Sequence, residues 1–194
     1  MAHAGLAADK KGARRRGSPI VFLDETGFML QPVRRRTWAP SGQTPIQNAW
    51  DRHDRLSGVG LISVSPRRHR LSLFFHMVSQ NVDADHMVWL LIRMHRHFRR
   101  HVVLVWDRWN VHKSATTFFE KRRPGWFTFE PLPAYSPKLN PIEQCWNHTK
   151  YSDLPNFIPD DIDHLHRAVD AAITAQSENQ ELLRSFFAYS KLTL

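Results

Sequence analysis

Two short, almost unbroken apolar runs each end on an aspartate: Ile20-Val-Phe-Leu-Asp24 and Val102-Val-Leu-Val-Trp-Asp107. A strand with one wet face alternates apolar and polar residues, whereas a strand covered on both faces reads as a continuous apolar run. These segments are therefore predicted to be central strands of a sheet with helices on both sides, which restricts the chain to an α/β architecture. Ending such a strand on a carboxylate carries a desolvation cost that folding alone does not explain. A divalent cation would offset it, and Glu143, in Asn140-Pro-Ile-Glu143, is a third acid placed to share that ion.

The rest of the chain supplies the sheet. Ile20 to Phe28 reads as the first strand with a break at Thr26-Gly27. Leu56 to Val64 and Leu71 to Val78 follow on either side of Ser65-Pro-Arg-Arg-His-Arg70, which predicts a three-stranded meander. The period then changes. Behind a cap at Asp83 or Asp85, Met87, Leu91, Met94 and Phe98 recur at helical spacing while Arg93, Arg96, His97 and Arg100 face away. A strand over 102–106, a helix from Ser114 to Arg123 stopped at Pro124-Gly125 and a strand from Trp126 to Glu130 come next. After a proline-rich loop a helix starts at Pro141, with two more near 160–176 and 178–189.

The order β-β-β-α-β-α-β-α with extra C-terminal helices predicts a mixed five-stranded sheet, its first three strands antiparallel and the later ones joined by right-handed crossovers. Asp24, in the middle of the first strand, and Asp107, at the end of the fourth, become neighbours near the carboxyl ends of strands, where ligands gather. Residues 1 to 17 read as a flexible basic lead-in and residues 18 to 194 as one domain, with 150 to 194 its helical extension.

With 194 residues, 42% of them hydrophobic, the chain can bury one sizeable core. It has no apolar stretch long enough to cross a bilayer and no signal-peptide run, so it reads as soluble and cytoplasmic, without a membrane partner. The single Cys145 fits a reducing compartment and excludes an intramolecular disulfide. Charge is polarised: Lys and Arg number 24 against 11 Asp and Glu in residues 1–150, but 3 against 7 in residues 151–194. A basic body of this kind is the footprint of a polyanion binder, with nucleic acid the commonest partner.

Two carboxylates on adjacent strands and one from a helix can hold two magnesium ions roughly 3.5 to 4 Å apart. Each acid also has an ordinary reading. Asp24 can pair with an arginine, and Asp107 can pair with Arg108 or cap the next turn. Glu143 stands at the third position of a helix capped by Asn140, where a capping-box glutamate belongs. Ile142, Cys145, Trp146 and Thr149 form the face of that helix expected to pack on the sheet, with Glu143, Asn147 and Lys150 on an adjacent stripe at the rim.

Four stretches together carry a family resemblance. They are Phe22-Leu-Asp24-Glu-Thr-Gly-Phe28, Thr37-Trp-Ala-Pro-Ser-Gly-Gln-Thr-Pro45, Trp106-Asp107 with His112-Lys-Ser114, and Leu132-Pro-Ala-Tyr-Ser-Pro-Lys-Leu-Asn-Pro-Ile-Glu-Gln-Cys-Trp146. They resemble the DDE transposases of bacterial insertion sequences in the mariner-like superfamily, from about Lys10 to about residue 175, and 35 residues separate Asp107 from Glu143. The resemblance implies a ribonuclease H-like fold, cleavage and transfer of DNA strands with Mg²⁺ or Mn²⁺, self-association on DNA, and Asp24, Asp107 and Glu143 as the metal-binding catalytic triad. Where relatives carry Asn directly after the second acid, this chain has Arg108. Relatives also carry helix-turn-helix modules ahead of the catalytic domain, and residues 1–17 cannot hold one, so such a module is expected to be missing or separately encoded. The alternatives are a nuclease without strand transfer and an inactive DNA-binding remnant.

Arg34, Arg35 and Arg36 with Trp38 are candidates to grip phosphates and stack on an unpaired base, and Lys113, Lys138 and Lys150 are further phosphate candidates. A solvated loop and ordinary surface lysines are the plain readings. His95, His97 and His101 do not share a helix face and have no cysteine beside them, which argues against zinc. His112 reads either as an outer partner of the metal site or as a surface histidine at a helix start. Glu25 is expected on the opposite side of the strand from Asp24, in a structural role.

Overall fold

The computed structural model describes residues 17–48, 54–133, 136–190 and 192. Nearly all of the expected basic lead-in, residues 1–16, lies outside the described residues, as do Ala134 and Tyr135 of the last motif. The central strand β1 (Ile20–Met29) is antiparallel to β2 (Arg55–Val64), which is antiparallel to β3 (Leu71–Val78). On its other side β1 runs parallel to β4 (Val102–Trp106), which is parallel to β5 (Phe127–Pro131), giving the order β3-β2-β1-β4-β5.

Strand alternation explains why the first four residues of β1 and all of β4 are apolar. Val21, Leu23, Val102 and Leu104 face α1 (Ala84–Phe98) and α2 (Asn110–Arg122). Ile20, Phe22, Val103 and Val105 face the opposite core, built with α3 (Pro141–His148), α4 (Ile162–Glu178) and α5 (Gln180–Tyr189). Asp83 caps α1, its Oδ1 accepting from the His86 amide at 2.8 Å. No helix among the described residues is long and apolar enough to cross a membrane.

Two boundaries differ from the sequence expectation. Thr26-Gly27 does not interrupt β1, because these residues pair with Gly58 and Ser57 of β2 and the ladder continues to Met29. Helix α2 starts at Asn110 rather than Ser114. Its first turn is polar and lacks a side-chain cap, but the buried His112 is tied down from two sides and fixes the turn in place. Local propensity would not select that start.

Gly60 decides where α3 sits. It lies directly across from Asp24 in the β1–β2 ladder. A Cβ built there would come within 2.5 Å of the Trp146 ring and 2.9 Å of Ile142 Cδ1. Helix α3 therefore rests on bare backbone, and this close approach brings Glu143 to the level of Asp24. Replacing Gly60 by Ala should lift α3, costing roughly 1–3 kcal/mol as overpacking does. Urea unfolding of the Gly60→Ala variant measures this, and wild-type stability would contradict the close packing.

Candidate active site

Asp24, Asp107 and Glu143 line one cleft of about 480 Å³, together with Arg108, Trp109 and Pro137. Each carboxylate is delivered by a different device. Asp24 comes from the interior of β1, on the α3 side of the sheet. Asp107 follows the last residue of β4, and continuing the register of Phe22 opposite Val105 sets it beside Asp24. Glu143 comes from the first turn of α3, which Asn140 pins to the sheet. The Asn140 side chain is 2% exposed, donates Nδ2–H to the Leu23 carbonyl at 3.2 Å, and accepts from the Ile142 amide.

The capping-box reading of Glu143 fails on its partner. The Asn140 amide, which a capping-box carboxylate would accept from, donates instead to the Pro137 carbonyl at 2.9 Å. Glu143 lies instead within electrostatic reach of Asp24. Burial, together with the charges of Glu143, Glu25 and Asp107, pushes Asp24 up from 3.8 to about 8. Glu143 is also raised, chiefly by burial, against the pull of Lys150. The Lys150 ammonium turns inward, donating to Thr26 Oγ1 at 2.6 Å with both carboxylates in range, and burial draws its pKa down. Burial of the two carboxylates outweighs the Lys150 ammonium, so Asp24 keeps its proton up to about 8.

Asp107 is held from behind. Its Oδ1 accepts from the Trp109 amide at 2.8 Å and lies 2.7 Å from His112 Nδ1, while His112 Nε2 lies 2.8 Å from Glu25 Oε1. The His112 ring is 1% exposed and stacks on Trp106 at 4.2 Å. Burial disfavours its charge, but the hydrogen bonds and charges of Glu25 and Asp107 outweigh that and raise its pKa. Glu25 lies on the opposite face from Asp24 as alternation requires, yet it reaches the site through this histidine. Local pattern allowed His112 only as an outer partner or a surface residue. The signal that points to it is its position five residues after Asp107, one turn into a helix. Asp107 does not pair with Arg108, which stays exposed on the cleft wall.

Among the described residues no three His, Cys, Asp or Glu side chains are gathered tightly enough to cage a metal by themselves. The three acids share a cleft without meeting at a point. This suits magnesium or manganese better than zinc, because a hard cation keeps several waters and takes only one or two carboxylates before substrate phosphate completes its shell.

The cationic candidates separate into groups. Arg34, Arg35 and Arg36 line a different cleft with Thr37, Pro45, Gln47 and Asn156. Arg35 is already engaged there, donating to the Tyr151 carbonyl at 2.6 Å, and Trp38 is 100% exposed. Lys138 sits in the short turn Pro137–Leu139, next to Pro137, and is not itself part of the cleft lining. Lys113 is exposed on α2, close to Asn110 Oδ1.

Residues 19–166 match the family described as DDE superfamily endonuclease. No curated protein matches the sequence significantly. Among solved structures, the Mos1 strand transfer complex is 16% identical with a TM-score of 0.65, the alignment covering 98% of this chain and 56% of that one. The Mos1 mariner paired-end complex with Mn is 17% identical at a TM-score of 0.66, covering 96% and 56%. The paired-end complex with Mg is 17% identical at 0.62, covering 98% and 58%. The chain thus spans somewhat over half the length of these relatives, and the likeness establishes the ribonuclease H-like fold expected from the sequence.

The proton held by the cleft gives a stability test. Below 3.8 Asp24 is protonated folded and unfolded. Above that value the unfolded chain ionises first, and the folded state loses relative stability until Asp24 itself ionises near 8. In EDTA, Asp24→Asn should melt close to wild type at the acid limit, and its advantage should grow with pH and level off above about 8. Each kcal/mol of relief is worth about 2–4 °C in a domain of this size. A gap that does not change with pH would place the repulsion elsewhere. His112→Ala should cost about 2 kcal/mol in urea unfolding, since it strands Glu25 and removes a buried hydrogen-bonded ring; an unchanged midpoint would show that the bridge is dispensable.

Proposed function

Because the chain belongs to the DDE superfamily endonucleases, as the match over residues 19–166 shows, we propose that it is the catalytic domain of a transposase, cleaving DNA and transferring the new 3′ end. Asp24, Asp107 and Glu143 are its metal-binding carboxylates, and the ions are magnesium or manganese, two in number. The observation that carries this reading is that Asp24, Asp107 and Glu143, delivered by β1, the end of β4 and α3, line one cleft, where burial holds Asp24 and Glu143 above the ordinary carboxylate range. Such an arrangement is costly to fold and becomes favourable once a cation or the phosphate-bound form of one is present.

When bound, divalent cations there supply Lewis-acid stabilisation of the phosphodiester oxygens and acidify an attacking water or hydroxyl. The protein's own groups do the rest. Arg108 lines the cleft where a phosphate would enter, and neutralises its charge, with Lys138 on the neighbouring turn a further candidate. Trp109 and Pro137 wall the cleft and limit water around the reacting phosphorus. His112 and the Trp109 amide fix the Asp107 carboxylate, so that little ordering remains to be done when substrate binds. Lys150 keeps negative charge on Glu143 by opposing its protonation.

The test is plasmid nicking with Mg²⁺ or Mn²⁺, alongside a strand-transfer assay using a pre-cut 3′ hydroxyl end. Asp24→Asn, Asp107→Asn and Glu143→Gln should each lower both activities by about a thousandfold or more, as losing a principal electrostatic group does, while thermal melting stays cooperative. Full activity in any of the three would remove that residue from the centre. Nicking without transfer of the pre-cut end would mark the chain as a nuclease alone.

A further inference from the structure

The end of the sheet opposite the carboxylates carries more positive charge than local structure explains. Three segments meet there. The β2–β3 turn contributes Arg67 and Arg70, the end of α1 contributes Arg96 and Arg100, and the end of α2 contributes Lys121 and Arg122. The ladders place them side by side: Val64 pairs with Ile20 and Leu71, Ile20 with Val103, and Val102 with Phe127. With neighbouring strands about 4.8 Å apart, the edge from β3 to β5 is about 19 Å wide. Asp24 lies farther along β1, about 13 Å away from this edge.

Helix dipoles account for part of this. A cation in the last turn of a helix is favoured by the helix dipole, which rationalises Arg96, Lys121 and Arg122. It says nothing of Arg67 and Arg70, which lie on a turn. All six side chains are exposed, and none forms an ion pair with an acid among the described residues. Within residues 65–70, 96–101 and 120–125 the sole acid is Glu120, and the α4–α5 junction, whose Gln180 holds the Leu71 backbone at this edge, adds Glu178 and Glu181 with Arg184, so that cations still predominate. Unpaired like charges repel one another, so keeping them at one edge favours a polyanion that relieves the repulsion.

We propose that this edge is a second DNA-binding surface, gripping the backbone phosphates of duplex DNA and separate from the carboxylate cleft. Its width fits a duplex. A duplex carries one charge per 1.7 Å of axis over both strands, so about 19 Å carries roughly eleven phosphates, of which those on the facing side meet the six cations. The indole at this edge is already engaged. Trp126 is stacked by His95 at 3.9 Å on one side and covered by Arg123 at 5.6 Å, which leaves no platform for a base. Finally, no exposed large hydrophobic side chain of the described residues falls within the three segments, which disfavours a membrane or an apolar protein partner. This surface rests on the proposed function only in the choice of DNA as the polyanion. A protein holding one duplex in its cleft can in this way hold a second, or a distant part of the same one, at its back.

The test uses the full chain in EDTA, so that nothing is cut, and a short fluorescent duplex of arbitrary sequence titrated by anisotropy at several salt concentrations. The variant combines Arg67→Gln, Arg70→Gln, Arg96→Gln, Lys121→Gln and Arg122→Gln. Its affinity should fall about tenfold or more. The slope of log affinity against log salt should shrink by about 0.9 for each phosphate that is no longer neutralised. Arg34→Gln/Arg35→Gln/Arg36→Gln serves as the comparison on the other side of the molecule. If the five-fold variant keeps the wild-type affinity and slope, the surface is not a DNA site. If a single-stranded oligonucleotide of equal charge competes better than the duplex, the assignment to duplex DNA fails. Should the five-fold variant not melt cooperatively, Arg67→Glu and Arg122→Glu made separately should each reduce the slope by about 1, and no change in either overturns the proposal. Because binding is read without cleavage, loss of nicking in Asp24→Asn and loss of binding here are independent outcomes.

Discussion

Everything at the cleft depends on the contact between α3 and the backbone of β2. Gly60 offers no side chain, so Trp146 and Ile142 descend onto the strand itself and Asn140 fastens the start of the helix to the Leu23 carbonyl. Apolar burial on the Trp146 face contributes several kcal/mol, and it is this that holds Glu143 against Asp24 despite their mutual repulsion. The stabilising interaction and the destabilising one belong to the same helix, one turn apart. Such a site keeps its shape without metal because packing, and not the carboxylates, positions it.

Much of this was legible in the sequence, for a physical reason. Continuous apolar runs identify strands covered on both faces, and the runs at 20–23 and 102–106 proved to be β1 and β4, neighbours at the centre of the sheet. The meander, the helix behind Asp83 and the buried face of α3 followed from period alone. What remained hidden was set by contacts between distant residues. The extension of β1 through Thr26-Gly27 depends on a partner strand about 30 residues later in the chain. The early start of α2 depends on His112 reaching Glu25, 87 positions away. No local pattern encodes either.

The acids divided along the same line. That Asp24, Asp107 and Glu143 share a cleft could be anticipated from strand ends and a helix rim. That they do not form a closed cage could not, because the distance between them is set by how α3 packs and by the hydrogen bonds that hold Asp107 back. Glu25 shows the converse. Alternation correctly put it on the far face, and its structural role takes the form of one imidazole that joins it to Asp107.

The distribution of charge along β1 gives the molecule a direction. At the carboxyl end of the strand, acids are crowded into partial burial and hold a proton in the absence of metal. At the amino end, exposed guanidinium and ammonium groups converge from three segments. Both ends store repulsion, of opposite sign, which under the two proposals a metal ion relieves at one end and a polyanion at the other. A phosphodiester chain with its bound cations complements both at once. Coulomb interactions between the two ends are weak across about 13 Å of strand at physiological salt, where the Debye length is about 8 Å. The ends therefore do not neutralise each other, and each keeps its need for an external partner.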